Sequence, residues 1–424
     1  MTTAKKLLHK NDLDLVVKHA RTHSPFYKEA LKGLPKNTNF GSCPLTQSED
    51  FWAYHNINNI SSLAQKDGMI FRSGGTTGSP KYSLYSSEEW NTVCKVAGET
   101  FAHNYIEKND RVANLFYSGS LYGSYLFATK ILENCPTPTT HLPVAGHTPP
   151  DEIADIIRQF KATVLMGTPS TIVSIAVLNN MRSKNNFDEV SKIFFAGDFF
   201  YEDQIKIVKS VFKKAKIYPI SYATSDVGLI GYYDKTCEEN EYRSIEDYIH
   251  VEIVDEKTLK PIKKKNEEGI LVVTNLFRQL MPIIRYPAGD KAMWVEDEGA
   301  RDRKFLLLGR SEEAARVNAT KFYVSEIRSI LSQFSDQTNW IDFQMIIERK
   351  DLKDCLLLRI ASHEDSNLLK KFDQKIVKKI IESKTQSEIE EIKDLHIGIE
   401  WIKPKDIILN IKTGKIKRVI DNKR

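Results

Sequence analysis

Residues 72–81 read Arg-Ser-Gly-Gly-Thr-Thr-Gly-Ser-Pro-Lys, the most informative stretch of the 424-residue chain. Glycines let the backbone adopt positive φ and approach a ligand closely, and successive backbone N–H groups can form an anion-binding nest. The glycines and hydroxyl residues here are Ser73, Gly74, Gly75, Thr76, Thr77, Gly78 and Ser79. Lys81 adds a positive charge. The composition predicts a phosphate-binding loop, with an ordinary Gly/Ser/Thr turn as the alternative.

The loop differs from a Walker A loop, in which Gly-Lys-Ser/Thr leads directly into a helix. Pro80 separates the glycines from the lysine and lacks an N–H donor. Apolar residues 69–71 precede the loop, and Tyr82, Leu84 and Tyr85 follow at near-strand spacing. We therefore predict the loop of a β-hairpin.

At 424 residues the chain is long enough for a large domain plus a smaller one. With 41% apolar and 28% charged residues, its composition predicts an ordinary soluble protein. A net charge of +5, without a basic stripe that contains aromatic residues, argues against a nucleic-acid partner. We expect no membrane span, because no run of about 18 apolar residues occurs. The first ten residues lack an apolar signal segment, and the five cysteines are scattered. Both features favour the cytoplasm.

Strands alternate with helices in the middle of the chain. We predict buried strands at 162–166, 192–196 and 216–221, which implies a parallel sheet with ligands at the carboxyl ends of its strands. Gly197, Asp198 and residues 222–226 would lie there. After about residue 324 the pattern predicts a smaller α+β unit.

The loop Ser73–Lys81 resembles the phosphate-loop signature of the adenylate-forming superfamily, which includes acyl- and aryl-CoA ligases and peptide-synthetase adenylation domains. His23–Tyr27 resembles the opening of its phenylacetate-CoA ligase and coenzyme F390 synthetase branch. The resemblance implies an α/β fold in two domains. Residues 1–309 would form a large ATP- and acyl-binding domain with mixed and parallel sheets between helices. Residues 310–424 would form a small mobile α+β lid.

Tyr222-Ala-Thr-Ser-Asp226 resembles the superfamily's Tyr-Gly-x-Thr-Glu. The resemblance implies that Tyr222 stacks on adenine, that Ser225 contacts the α-phosphate and that Asp226 holds Mg²⁺, a hard cation suited to carboxylates. Asp226 is one methylene shorter than the usual Glu. The nucleotide-binding residues implied here, beyond those of the phosphate loop, are Ala196, Gly197, Asp198, Ser221, Ala223 and Thr224.

Three later motifs follow in the order that the superfamily shows. Arg285–Asp290 resembles Arg-Tyr-Arg-Thr-Gly-Asp, which implies that Asp290 binds the ribose hydroxyls. Leu308–Glu313 resembles the hinge motif, which implies that Arg310 contacts the nucleotide and that Glu312 lies at the hinge. Residues 410–421 resemble the closing motif, in which the residue matching Lys415 neutralises charge during adenylation. A lysine suits this role as a compact charge on a flexible stem.

Residues 114–127 would help to wall the acyl pocket, through Tyr117, Tyr122 and Gly123. Tyrosines here suit a flat aromatic acid, although core packing explains each of them equally well. Many relatives in this branch also have a structural zinc site. Here Cys237 is present, but Arg243-Ser244 replaces Leu-His and residues 296–304 contain no cysteine. Since such a site needs four ligands, we predict no zinc.

The resemblance implies a ligase that uses ATP, Mg²⁺ and CoA to convert a carboxylic acid, aryl or a short polyketide-like acid, into its thioester. A first alternative transfers the acyl group to the phosphopantetheine of an acyl carrier protein in a specialised-metabolite pathway. A second alternative is a non-catalytic relative that binds a nucleotide or a partner. The acid and the oligomeric state, monomer or dimer, are left open.

Overall fold

A computed structural model of the chain describes residues 13–56, 59, 67–73, 81–181, 187–224, 226–310, 314–317, 320–350, 353–384, 395–409 and 415–422. The chain divides into two compact units. Unit 1 consists of Met1–Phe199 and Val208–Ser311, and unit 2 consists of Phe200–Ile207 and Glu312–Arg424. In the described parts of the chain, no helix is long and apolar enough to cross a membrane.

The predicted hairpin is confirmed. Strands β1 (Met69–Arg72) and β2 (Tyr82–Tyr85) pair in antiparallel register, from Met69 opposite Tyr85 to Arg72 opposite Tyr82. One further bond, from the Ser73 N–H to the Lys81 carbonyl at 2.9 Å, continues the ladder. The two strands thus flank the glycine-rich segment, whose residues 74–80 lie outside the described residues.

A five-stranded parallel sheet, in the order β4-β3-β5-β6-β7, lies in unit 1 and confirms the predicted α/β class. Its strands are β3 (Arg111–Leu115), β4 (Thr140–Pro143), β5 (Val164–Gly167), β6 (Lys192–Phe195) and β7 (Lys216–Pro219). Every residue of β5 is buried, as expected for a strand covered on both faces. The helices of unit 1 outside the N-terminal segment are α4 (Ser87–Phe101), α5 (Ser124–Asn134), α6 (Pro150–Gln159), α7 (Pro169–Met181) and α8 (Glu202–Val211), the last beginning within unit 2.

A seven-stranded antiparallel sheet, in the order β11-β12-β13-β14-β10-β9-β8, is the second sheet of unit 1. Its strands are β8 (Ser221–Thr224), β9 (Gly228–Tyr232), β10 (Glu241–Ser244), β11 (Ile249–Val254), β12 (Glu268–Asn275), β13 (Tyr286–Trp294) and β14 (Lys304–Arg310). The predicted strand 216–221 is therefore wrong at its end. β7 stops at Pro219, and Ser221 already belongs to β8, which pairs with β9 instead of the parallel sheet.

The N-terminal helices are α1 (Leu13–His23), α2 (Pro25–Ala30) and α3 (Ser48–Tyr54). The segment before α3 is fixed to the start of β13. Thr46 donates its N–H to the Arg285 carbonyl at 3.0 Å and its hydroxyl to the Ile284 carbonyl at 2.5 Å. Arg285 forms a buried two-point ion pair with Glu252, at 3.0 and 3.1 Å. These bonds hold α3 next to the start of β13.

Unit 2 is built on a four-stranded sheet in the order β19-β18-β17-β20, in agreement with the predicted α+β pattern. Its strands are β17 (Trp340–Lys350), β18 (Lys353–Ser362), β19 (His396–Ile402) and β20 (Val419–Asp421), with a separate hairpin of β15 (Ala314–Val317) and β16 (Thr320–Tyr323). The helices are α9 (Val324–Ser332), α10 (Ser335–Thr338), α11 (Ser366–Leu369) and α12 (Asp373–Glu382). β17 lies inside the sheet, antiparallel to β18 and parallel to β20.

Candidate active site

The base of the phosphate loop is well defined. The Lys81 N–H donates to the Ser73 hydroxyl at 3.1 Å, in addition to the backbone bond between the same two residues. The other predicted loop residues, Gly74, Gly75, Thr76, Thr77 and Gly78, lie outside the described residues, as does Ser225. The structure therefore fixes where the loop starts and ends.

Asp226 is the centre of a polar cluster in unit 1. Its Oδ2 accepts from Lys81 Nζ at 2.7 Å and from the Tyr286 hydroxyl at 2.9 Å. The same hydroxyl accepts from Trp52 Nε1 at 2.8 Å and lies 2.9 Å from Ser48 Oγ. Lys81 Nζ also lies 5.4 Å from the centroid of the Trp52 ring. The predicted magnesium carboxylate and the phosphate-loop lysine, 145 residues apart in sequence, are thus in direct contact.

The Tyr286 hydroxyl keeps its proton and donates a hydrogen bond to Asp226. Burial raises the pKa of the Tyr286 hydroxyl, and the negative charge of Asp226 raises it further. Since the indole N–H of Trp52 can only donate, the phenol bridges Trp52 to the carboxylate. The Asp226 side chain is 16% exposed, so both of its donors act in a partly dehydrated setting where charge-assisted hydrogen bonds are strong.

Arg278 supports the backbone of the same cluster. Its guanidinium donates to the Asp226 carbonyl at 3.2 Å and to the Leu84 carbonyl at 2.8 Å, and it lies 4.1 Å from the centroid of the Tyr85 ring. Gly228 has φ +92°, and a Cβ there would lie 2.7 Å from the Tyr85 hydroxyl. The turn after Asp226 therefore packs against β2 at a distance that only glycine permits.

Tyr222 and Asp290, the residues predicted for adenine and ribose, are in contact. The Tyr222 hydroxyl donates to Asp290 Oδ2 at 2.5 Å, and the ring lies near those of Tyr242 and Phe305. Asp290 faces Arg310 in the register of β13 and β14. Asp290 is thus a neighbour of residues from two other motifs, Tyr222 and Arg310.

Gly197 and Asp198 follow β6, at the carboxyl end of the parallel sheet as predicted. Gly197 has φ +90°. Asp198 Oδ1 accepts from the Phe199 N–H at 2.9 Å. Ala196 donates its N–H to the Gly167 carbonyl at 3.4 Å, which continues the pairing beyond β6. Ser221, Ala223 and Thr224 lie in β8, where Thr224 Oγ1 accepts from the Val227 N–H at 3.1 Å and shapes the turn that contains Asp226.

The three predicted acyl-pocket residues lie between β3 and α5. The Tyr122 hydroxyl donates to the Ser73 carbonyl at 3.4 Å, which places it beside the start of the phosphate loop. A Cβ at Gly123 would lie 2.8 Å from the ring of Phe71. Burial raises the pKa of Tyr117, and a hydrogen bond with Thr171 acts in the opposite direction. Both tyrosines keep their protons at neutral pH.

Lys415 lies in unit 2, just before β20. Gln344, which is fully buried on β17, binds both flanking segments: its amide nitrogen donates to the carbonyls of Ile408 at 2.9 Å and Lys417 at 2.8 Å. Its amide oxygen accepts from the Ile408 N–H at 2.9 Å. The chain on both sides of Lys415 is therefore attached to the interior of the sheet.

An arginine-centred cluster includes Cys237, the cysteine considered above for a zinc site. Arg243 donates to Asp234 Oδ2 at 3.0 Å and to both oxygens of Glu296, at 3.1 and 3.3 Å. Lys304 donates its backbone N–H to Glu296 at 3.0 Å. Cys237 Sγ lies 3.5 Å from Asp234 Oδ1, and burial raises the pKa of the thiol to about 11. In the described parts of the chain, no group of three or more His, Cys, Asp or Glu side chains is arranged to hold a metal ion.

Comparisons with known proteins support the resemblance seen in the motifs, although no protein-family model matches the chain. A phenylacetate-coenzyme A ligase of Aromatoleum evansii is 22% identical over 422 residues, 96% of this chain and 92% of that protein. An indoleacetate–lysine synthetase of Pseudomonas savastanoi is 23% identical over 261 residues, 58% of this chain and 60% of that protein.

Among solved structures, 2-hydroxyisobutyryl-CoA ligase in its postadenylation state, in complex with 2-HIB-AMP, superposes with a TM-score of 0.74 at 19% identity. The match covers 97% of this chain and 88% of that one. The chain has the adenylate-forming fold. Its resemblance to the phenylacetate-CoA ligase branch of the adenylate-forming superfamily is confirmed by the sequence matches.

Four residues of this candidate site were missed from the sequence: Ser48, Trp52, Arg278 and Tyr286. Tyr286 lies inside a recognised motif, so its contact with Asp226 could have been considered. Ser48 and Trp52 lie 238 and 234 residues from Tyr286. Nothing in their local sequence marks them, because their role depends on how α3 is held against β13.

Proposed function

We propose that the protein is an ATP-dependent acid–CoA ligase. A carboxylate oxygen of the acid attacks the α-phosphorus of ATP, and the bond to pyrophosphate breaks. The CoA sulfur then attacks the acyl carbon, and AMP leaves as the new thioester forms. The observation that supports this best is the contact of Asp226 with Lys81, because it brings the predicted magnesium carboxylate to the foot of the phosphate loop.

The resemblance to adenylate-forming enzymes implies the residue roles. Asp290 would accept hydrogen bonds from the ribose hydroxyls, and Tyr222, bonded to it, would orient the adenine. Ser225 would contact the α-phosphate. Lys415 would neutralise charge that develops between the acid and the α-phosphate, the kind of electrostatic stabilisation that contributes most in many enzymes. Unit 2 would then move at a hinge near Glu312 to admit the thiol.

Asp226 is chemically suited to Mg²⁺, which proteins usually hold with one or two carboxylates plus phosphate oxygens and water. It is a single, partly exposed carboxylate whose present partners are an ammonium and a phenol. When bound, the ion would neutralise phosphate charge. Lys81 can then turn from Asp226 toward the β- and γ-phosphates, since its side chain is 37% exposed and its stem is flexible.

We propose an arylacetic acid as the substrate class. Two relatives are named for phenylacetate and indoleacetate, acids with a flat ring one carbon from the carboxylate. Tyr122 and Phe71 provide aromatic surface close to Ser73 at the start of the predicted phosphate loop, and Tyr117 lies in the same segment as Tyr122, between β3 and α5. The scattered cysteines support a cytoplasmic location for this reaction.

The acceptor can be tested directly. Purified protein would be incubated with ATP, Mg²⁺ and phenylacetate, together with CoA, a phosphopantetheinylated carrier protein or lysine, and the products identified by mass spectrometry. The proposal predicts phenylacetyl-CoA with the first acceptor. If thioester formed only on the carrier protein, or if an amide formed only with lysine, that compound would be the acceptor and the assignment of CoA would be wrong. Either result would still support the adenylation step.

Replacing Tyr286 with phenylalanine removes the hydroxyl that joins Asp226 to Trp52. A hydrogen bond to a charged group contributes about 1.5–3 kcal/mol, so we expect roughly 10- to 100-fold slower ATP–pyrophosphate exchange and a higher Mg²⁺ concentration at half-maximal rate. Tyr248→Phe, on a ring that packs against Phe277, is the matched control. Exchange and Mg²⁺ dependence unchanged in Y286F would contradict this role.

We also propose that the protein contains no structural zinc. Arg243 instead joins the chain segments that contain Asp234 and Glu296. Its guanidinium lies between Asp234 and Glu296, with side chains 16%, 20% and 25% exposed. We expect far less than one zinc per chain by elemental analysis and no change in Tm with EDTA. Arg243→Met should lower the Tm by several degrees, because it leaves two carboxylates without their cation.

The control for this variant is Arg301→Met, which removes an ion pair whose side chains are 79% and 59% exposed. Exposed pairs contribute little, so its Tm should stay at the wild-type value. One zinc per chain, together with a Tm that EDTA lowers, would refute the proposal.

A further inference from the structure

We propose that Gln344 is a positioning residue for Lys415, an inference that rests on the proposed role of Lys415 in adenylation. Gln344 is fully buried on β17, a strand with neighbours on both sides. Burying an amide costs free energy unless its donors and acceptor are satisfied. Here all three of its bonds go to the backbone around Lys415 and none to other side chains of the described residues.

The two segments that Gln344 binds are the two sides of one loop. Lys417 donates its N–H to the Ile408 carbonyl at 3.1 Å, and Leu409 pairs with Ile416 in an isolated antiparallel bridge. Lys415 comes directly before that bridge. The amide nitrogen contacts both sides at once, through the carbonyls of Ile408 and Lys417, and so closes the base of the loop.

Neighbouring bonds attach the chain after Lys415 directly to β17. Met345 donates its N–H to the Arg418 carbonyl at 2.8 Å, and Asp342 binds the Arg418 guanidinium. These contacts attach the start of β20 to β17. The Gln344 amide adds a direct attachment of the incoming side, at Ile408, to β17. An amide suits this task because it offers two donors and an acceptor on one side chain.

We therefore expect Gln344 to be required for adenylation but not for thioester formation. If the loop base loosens, the Lys415 ammonium is no longer held where charge develops during adenylation. A displacement of about 1 Å can cost on the order of 10²-fold in rate. Thioester formation from an acyl-adenylate that is already made would not depend on Lys415 in the same way, because the negative charge between acid and phosphate has by then been relieved.

The test compares Gln344→Met with Gln344→Glu and with Thr338→Val. Methionine keeps the length of the side chain without hydrogen bonds, and glutamate keeps the acceptor without the amide donors. Thr338 is fully buried in unit 2 and donates to the Phe334 carbonyl at 2.9 Å, so T338V loses a buried bond away from the loop. We expect both Gln344 variants to lose on the order of 10²-fold in the kcat of ATP–pyrophosphate exchange.

Several readouts separate positioning from general damage. The KM values for ATP and acid, and the rate of thioester formation from supplied acyl-adenylate and CoA, should stay within about twofold of wild type. Q344M should cause no further loss of exchange in a Lys415→Ala background, because a residue that acts through Lys415 has nothing left to position. T338V should behave as wild type in all assays.

Backbone exchange provides a readout independent of activity. Hydrogen–deuterium exchange at Ile408 and Lys417 should speed up in Q344M while the strands β17 and β18 keep their protection. Unchanged pyrophosphate exchange in both Gln344 variants, or an equal loss in both half-reactions, would overturn the inference. If wild-type protein shows no exchange with any acid, the proposed function fails, and faster deuterium exchange in Q344M would still establish Gln344 as the anchor of this loop.

Discussion

Replacing Lys415 with alanine is expected to slow ATP–pyrophosphate exchange by on the order of 10²–10³-fold, the usual effect of removing one preorganised electrostatic group. We propose that the Lys415 side chain neutralises the negative charge that develops between the acid and the α-phosphate. The KM for ATP should change little, because the interaction develops in the transition state. Thioester formation from supplied acyl-adenylate and CoA should continue.

The matched control is Lys417→Ala. Lys417 is exposed and lies two residues after Lys415. Its backbone, not its side chain, makes the contacts that fix the loop. Its exchange rate should match wild type. Equal activity of K415A and wild type would remove Lys415 from the mechanism, and an equal loss in K417A would show that positive charge in the loop matters without regard to position.

Replacing Asp226 with asparagine should reduce exchange by a comparable factor, about 10²-fold or more. The change keeps the shape of the side chain but removes the charge that we assign to Mg²⁺, and it leaves Lys81 beside a neutral amide. Calorimetry should show that Mg²⁺ strengthens ATP binding to wild type and that this effect is lost in D226N.

Asp302→Asn is the control for this charge removal. Asp302 is a carboxylate of unit 1 that accepts from the Glu246 N–H at 3.0 Å, and burial raises its pKa. The variant should keep the wild-type exchange rate and the wild-type effect of Mg²⁺. If D226N retained both, the metal would have to be held by other residues, and the assignment of Asp226 would be wrong.

Local pattern was sufficient for much of the fold. The glycine-rich loop flanked by apolar alternation predicted the β1–β2 hairpin, and the buried strands before Gly167 and Gly197 predicted the parallel sheet. The predicted end of β7 was wrong because Ile220 alone separates β7, which ends at Pro219, from β8, which begins at Ser221. Pro219 is a residue type that often marks a break, but it gives no sign that the chain changes sheets there.

The site was predicted as a set of motifs, and its internal contacts were not. Asp226, Lys81 and Asp290 were identified from their own stretches, but the phenol of Tyr286 between Asp226 and Trp52 depends on contacts across 60 and 234 residues. Gln344 lies in the middle of β17, and nothing in the sequence of that strand indicates the loop that it holds. Such contacts depend on tertiary packing, which spacing along the chain does not encode.

The central claim is that this protein adenylates a carboxylic acid, and ATP–pyrophosphate exchange measures that step without any acceptor. Purified protein would be incubated with MgATP, labelled pyrophosphate and single acids: phenylacetate, indoleacetate, benzoate, 2-hydroxyisobutyrate and acetate. We expect exchange that requires an acid and is fastest with an arylacetic acid. Fastest exchange with a small aliphatic acid would contradict the proposed substrate class, and no exchange with any of them would contradict the claim itself and favour a non-catalytic nucleotide- or partner-binding protein.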